Sequence, residues 1–226
     1  MSVESTGKNL AVLMGDIINS REAVDPAALQ AAFAAEIAAL NAGYENRIVS
    51  PMTVTLGDEF QGLFAALSDG FTVLHALKLR LMRAGVACRF VLGEAEIETP
   101  INRERAWGMM GPGLADARAI LSEKSADTQY RFSLIRHPEI GALLDEIGYS
   151  LTEIEAGWSE VQARYVLSRF LEPEKTIAAL AEENAVSQSN VYERLKDAKF
   201  KTYRRKLAAV ANMLTYLDAQ SSPGEG

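Results

Sequence analysis

VTLGDEFQGLF, from Val54 to Phe64, sets two apolar runs around a central Gly57-Asp58. Read as a hairpin, it makes "IVSPMTVTL" and "FQGLFAAL" neighbouring strands with Asp58 at the tip. Upstream, "LAVLMGDI" (Leu10 to Ile17) is a short apolar run that reads as a buried strand ending at Asp16. A helix follows from Pro26 to about Asn41, with Asp25 as N-cap, Pro26 at the first helical position and Gly43 at the end. A second helix covers about Gly70 to Ala84, capped by Ser68 or Asp69, and "VACRFVLGEAEI" is a further strand. The order strand, helix, strand, strand, helix, strand predicts an α+β fold of the ferredoxin-like βαββαβ kind, with its helices on one face of an antiparallel sheet.

"WGMMGPGLADARAILSEK" is a glycine-rich loop entering a helix, "QYRFSLI" an edge strand and "PEIGALLDEIG" a short helix. From Ser159 the pattern turns wholly helical: "SEVQARYVLSRFL", then two helices joined at Asn184-Ala185-Val186 with Ser187 as N-cap of the second, then a last helix from about Thr202 to Ala219. The expected division is 1–154 for the α+β domain, 155–219 for an all-α helix-turn-helix domain and 220–226 for a disordered tail.

Composition bounds the function. The 226 residues are 48% hydrophobic and 23% charged, enough for a proper core, and the net charge of −7 argues against a chain that is wholly a nucleic-acid binder. A single cysteine, Cys88, in an apolar run expected in the core, rules out a disulfide framework and suits a reducing compartment. Without a signal-peptide pattern or an apolar run of membrane length, the expectation is a soluble, cytoplasmic protein with no membrane partner. His75 and His137 lie in separate segments without a cysteine partner, which argues against zinc, and Trp107 and Trp158 are expected in the core or in domain packing.

Asp16 and Asp58 end neighbouring strands in this arrangement, so their carboxylates can meet at one sheet edge. Magnesium needs hard oxygen ligands and takes the remainder from a ligand's phosphates. The plainer account is that Gly57-Asp58 is hairpin punctuation and Asp16 caps a local turn. Gly57 suits a turn that a side chain would crowd, and alternation from Asp58 points Glu59 the other way.

Charge is segregated along the chain. Ser187 to Lys206 carries +5, leaving −12 for the remainder. In a helix-turn-helix the second helix enters the major groove by its N-terminal residues, here Gln188, Ser189, Asn190 and Arg194. Lys196, Lys199, Lys201, Arg204, Arg205 and Lys206 would contact phosphate and make DNA binding salt-dependent. The competing account is a helical bundle with a solvated charged face. The last helix, with Leu207, Val210, Met213, Leu214 and Leu217, offers a homodimer surface.

"VLMGDIINS", "TLGDEFQGLF" and "WGMMGPGLADARAI", followed by the helix-turn-helix pattern, resemble the SatD family over nearly the whole chain. That family brings no established activity with it. Its N-terminal half is distantly similar to class III nucleotidyl cyclases and GGDEF domains. The similarity implies metal ligation (Mg2+ or Mn2+) by Asp16, Asp58 and the Ile17 backbone carbonyl, and a ligand-phosphate role for Arg118, whose plainer role is a surface ion pair with Asp116 or Glu123. The departures weigh against turnover. Leu114 replaces a transition-state asparagine, Val54 and Arg105 replace base-reading residues, and Leu56 replaces the first glycine of GGDEF. The leading expectation is a DNA-binding regulator whose cyclase-like domain binds a nucleotide or other phosphorylated ligand. A divergent cyclase and a structural or adaptor protein are the alternatives.

Overall fold

The computed structural model describes residues 8–124 and 128–221, so the expected tail at 222–226 lies outside the described residues, while residues 220 and 221 belong to the last helix. Within those limits the chain is mixed α+β, with a five-stranded sheet and eight α-helices. The strands are β1 (Lys8–Ile17), β2 (Ile48–Val54), β3 (Glu59–Phe64), β4 (Cys88–Ile97) and β5 (Tyr130–Ser133). The helices are α1 (Pro26–Gly43), α2 (Leu67–Arg83), α3 (Leu114–Ser122), α4 (Pro138–Ala156), α5 (Glu160–Leu171), α6 (Ile177–Glu183), α7 (Gln188–Asp197) and α8 (Phe200–Ser221).

The sheet order is β2-β3-β1-β4-β5. Its first four strands pair antiparallel, and β5 adds to β4 in parallel at the edge. Alternation divides the side chains between two faces. Leu13, Phe60, Phe64, Phe90 and Leu92 meet α1 and α2 in the large core, whereas Val12, Met14, Leu63 and Val91 meet Leu114, Ala117 and Leu121 of α3 in a smaller one. Helices therefore cover both faces, where the sequence reading placed them on one. The glycine-rich loop lies along the backbone of β4, with the Glu96 N–H donating to the Pro112 carbonyl at 2.9 Å. A Cβ on Gly113 would stand 2.0 Å from the Glu94 carbonyl oxygen, and its φ is +87°. Close backbone approach accounts for this glycine.

Local signals set most boundaries. Asp25 caps α1 by accepting from the Ala28 N–H at 2.9 Å, and Ser187 caps α7 by accepting from Asn190. For α2 the expected caps are corrected. The helix starts at Leu67, Asp69 pairs with Arg47, and the free N–H groups of Leu67 and Ser68 donate to the two carboxylate oxygens of Asp218, from the last turns of α8, at 2.8 and 2.9 Å.

The expected boundary at residue 155 falls at the end of α4, and the large core runs across it: Tyr203, Leu207, Val210, Leu214 and Leu217 of α8 are buried in the same cluster as α2 and α4. That face of α8 is filled from within the chain, which corrects its assignment as a homodimer surface. A second cluster, built from Tyr165, Val166, Leu180, Ala181, Val191, Leu195 and Ala198, joins α5, α6 and α7. Trp158 bridges the two, donating from Nε1 to the Ala198 carbonyl and standing edge-on to Tyr203. Trp107, by contrast, is 50% exposed on the loop before α3 and is not a core residue.

One buried polar network joins the layers. Glu155 of α4 accepts hydrogen bonds from Tyr130 of β5 and, at 2.6 Å, from Tyr203 of α8. Lys78 of α2 lies 3.3 Å from its other oxygen and also reaches Gln129. Removing one partner of a buried ion pair leaves the other charge without compensation. Glu155→Gln is expected to lower the unfolding free energy by about 3 kcal/mol, read by urea denaturation.

Candidate functional site

Asp16 sits one residue before the end of β1, opposite Glu59 on β3 and Arg89 on β4. Directly opposed residues point to the same side of a sheet, so Asp16, Glu59 and Arg89 share the face that α3 covers. This corrects the expected direction of Glu59. Asp58 lies in the turn before β3, outside the regular pleat, so alternation counted from it misleads. Asp16 is 3% exposed, and its Oδ2 lies 3.3 Å from Nε of the buried Arg89. Burial pushes the Asp16 carboxyl above its ordinary range; Arg89 and Lys124 pull it back, and Asp58 and Glu59 push it further up. The two aspartates are thus close enough for Asp16 to feel the charge of Asp58.

The hairpin tip is tied to β1 by backbone and side chain. The Asp58 carbonyl accepts from the Ile17 N–H at 2.9 Å, and its Oδ2 accepts from the Ser20 hydroxyl at 2.6 Å. Gly57 has φ +88°, and a Cβ there would meet only the end of the Gln30 side chain at 3.4 Å. Backbone conformation, not crowding, selects this glycine. The Ile17 side chain belongs to the large core.

Arg118 of α3 is half-exposed and leans over the same strand. It donates to Oε1 of Gln61 at 3.3 Å and lies 4.0 Å from Oε2 of Glu59. The surface pair expected with Asp116 or Glu123 is replaced by this contact; Glu123 pairs with Arg131. Leu114 and Val54 pack against apolar cores, and Arg105 is exposed.

Oxygen donors of this kind suit a hard divalent ion that draws further oxygens from a phosphorylated ligand. They do not form a metal cage by themselves. Among the described residues no group of three or more His, Cys, Asp or Glu is placed to hold an ion. Arg89 meets Asp16 without a well-formed hydrogen bond, since its Nε and Nη1 have no hydrogen-bond partner among the described residues. The buried guanidinium therefore already offsets part of the Asp16 charge, and its orphaned N–H groups lack an acceptor rather than a cation. Ser20, Gln61 and Arg89 were missed as neighbours of the pair, while Glu59 was considered as a helper and turned away by alternation; the strand register places Gln61 and Arg89 once β3 and β4 are set beside β1.

The basic segment lies apart from this edge. Gln188, Ser189, Asn190, Arg194, Lys196, Lys199, Lys201, Arg204 and Arg205 are exposed, and Lys206 is half-buried. Lys196 pairs with Glu193, and Arg204 stands over the Phe200 ring at 5.9 Å. The other basic groups have no carboxylate within ion-pair distance among the described residues.

The SatD family model matches residues 10–214. Curated proteins give no match. Among solved structures, a bacterial light-regulated adenylyl cyclase is 12% identical with a TM-score of 0.40, over 58% of this chain and 44% of that one. The guanylate cyclase domain of RhGC from Catenaria anguillulae, in complex with GTP, is 17% identical with a TM-score of 0.41, over 55% of this chain and 78% of that one. The adenylyl cyclase CyaB from P. aeruginosa is 16% identical with a TM-score of 0.41, over 62% of this chain and 84% of that one. Likenesses this distant carry no functional argument, and the site stands on its own side chains.

The raised pKa of Asp16 has a defined sign. Just above the ordinary value of 3.8 the folded protein keeps a proton that the unfolded chain has released. This group's contribution to stability is therefore largest in acid and declines as pH rises through that window. Asp16→Asn is expected to flatten the decline, measured by urea denaturation at a series of pH values.

Proposed function

The chain belongs to the SatD family, and we propose that it binds a phosphorylated nucleotide at the C-terminal end of β1 and duplex DNA through its C-terminal helices. The observation that supports the first part is the gathering of Asp16, Asp58 and Arg118 beside one end of β1 and β3. Asp16, Asp58 and the Ile17 carbonyl would hold Mg2+ or Mn2+, which supplies neutralising charge for phosphate oxygens. Arg118, half-exposed and held by one long hydrogen bond to Gln61 and a 4.0 Å ion pair with Glu59, would exchange these for a phosphate oxygen.

The order β2-β3-β1-β4, with α1 and α2 on one face, supports a ferredoxin-like, cyclase-like domain over residues 1–154. Helix α6, the turn at 184–187 and α7 support a helix-turn-helix within the C-terminal helices expected over 155–219, packed on the same core as the sheet, with Gln188, Ser189, Asn190 and Arg194 toward the bases. No helix among the described residues is long and apolar enough to cross a membrane. A regulator that meets DNA in the cytoplasm is consistent with these features.

A second reading, a divergent metal-dependent nucleotidyl cyclase, is favoured by the same aspartate pair with Arg118. It lacks a donor where Leu114 is buried against the sheet, and a lost transition-state donor costs about a hundredfold or more in rate.

Titration of a fluorescent ATP or GTP analogue with Mg2+ tests nucleotide binding. Asp58→Ala is expected to weaken it about tenfold or more, since even outer-shell partners of a metal ligand are worth about that much. Equal affinity in the variant would overturn the site, and cyclic nucleotide in the same mixture would move the protein to the second reading. For DNA, binding to a mixed-sequence duplex is expected at low salt and lost as salt rises. Replacing Lys199, Lys201 and Arg205 with Gln should reduce the salt slope by about one for each phosphate contact removed; an unchanged slope would remove this segment from the interface.

A further inference from the structure

A cleft of about 540 Å³ lies between α1, α2, α5 and α8, and no residue of the site at the end of β1 lines it. Its volume falls within the roughly 300–1,000 Å³ of small-molecule sites. Leu40 of α1, Phe71 of α2, Phe170 of α5 and Leu207 of α8 form apolar walls, and three basic side chains interrupt them. Arg80 is committed to Glu36. Arg204 has only the face of Phe200, with no carboxylate in ion-pair range among the described residues. His75 stands edge-on to Phe170 at 5.0 Å, and its buried Nε2 has no hydrogen-bond partner. Burial lowers the His75 pKa to about 4, so it is a neutral imidazole near neutrality.

We propose that this cleft binds a small organic carboxylate with an apolar body, held by Arg204. The walls remove the ligand's hydrocarbon from water, which is the main favourable contribution. Arg204 then sets the sign of the charge: it favours an anion and repels an ammonium. A guanidinium beside an apolar recess holds a carboxylate with two parallel hydrogen bonds, which a lysine could not reproduce. This use of Arg204 differs from its assignment to the DNA phosphates. Carboxylate binding in the cleft and nucleotide binding at Asp16 and Asp58 share no residue, so either can fail alone.

The test uses the full chain and anilinonaphthalene sulfonate, an aromatic anion whose fluorescence rises in apolar sites. Octanoate, octanol and octylammonium serve as competitors of one shape and three charges. Octanoate is expected to displace the probe at the lowest concentration, octanol at higher concentration, and octylammonium not at all. Arg204→Gln should cost octanoate about tenfold or more and leave octanol unchanged, since a charge-assisted bond is lost. Ala208→Trp, at an exposed lining position, should fill the cleft and abolish probe binding, with thermal melting to verify that both variants fold. The proposal is overturned if the wild-type protein gives no saturable fluorescence change, if octylammonium competes as well as octanoate, or if Arg204→Gln keeps the full preference for the acid.

Discussion

The fold depends on one buried carboxylate. Glu155 ends α4 and receives the hydroxyls of Tyr130 and Tyr203, while Lys78 supplies the compensating charge. These groups come from β5, α8 and α2, so the network ties the sheet, its covering helix and the last helix to one point. Polar groups withdrawn from water tolerate little displacement, because each unmet partner carries the cost of its own desolvation. The apolar contacts around them drive collapse, and the network fixes which collapsed arrangement is reached. It also explains why the C-terminal helices do not form a detached bundle.

The two faces of the sheet have different work. The face toward α1 and α2 is filled by aromatic and branched side chains and continues into α4 and α8. The face toward α3 has a smaller core, and at one end of it apolar residues give way to Asp16, Glu59, Gln61 and Arg89. A short helix covers only part of that face: Asp16, Gln61 and Arg89 are buried there, while Glu59 and Arg118 still meet solvent. Arg118 shows the result, with its stem on α3 and its guanidinium over β3. The same strands thus hold a stable interior on one side and a polar rim on the other.

The strands of the first half were legible because a period of two with turn residues between the runs is a local signal. So were the caps at Asp25 and Ser187, whose partners lie three residues away. Most of what escaped was non-local. The direction of Glu59 depends on where the regular pleat resumes after Gly57, and the cap of α2 comes from Asp218. The short helix expected at "PEIGALLDEIG" is the nineteen-residue α4: the buried stripe of Gly141, Leu144 and Gly148 continues at helical spacing through Leu151 and Ile154, a signal the sequence reading stopped short of. The apolar stripe of α8 was visible, but a stripe does not say whether its partner lies in the same chain. Half of the site was legible for the same reason: Asp16 and Asp58 are marked by the ends of their strands, while Arg89 joins them only through sheet order.

The carboxylate of Asp218 against the start of α2 also concerns the order in which the molecule can be made. During synthesis α2 emerges early, with its first amide groups lacking a partner from its own sequence. Those groups must stay hydrated, or the helix frayed, until residue 218 has left the ribosome and α8 can close over it. Completion of the central layer therefore waits on a segment translated long after it, and the nascent chain carries an unfinished helix through most of its own elongation.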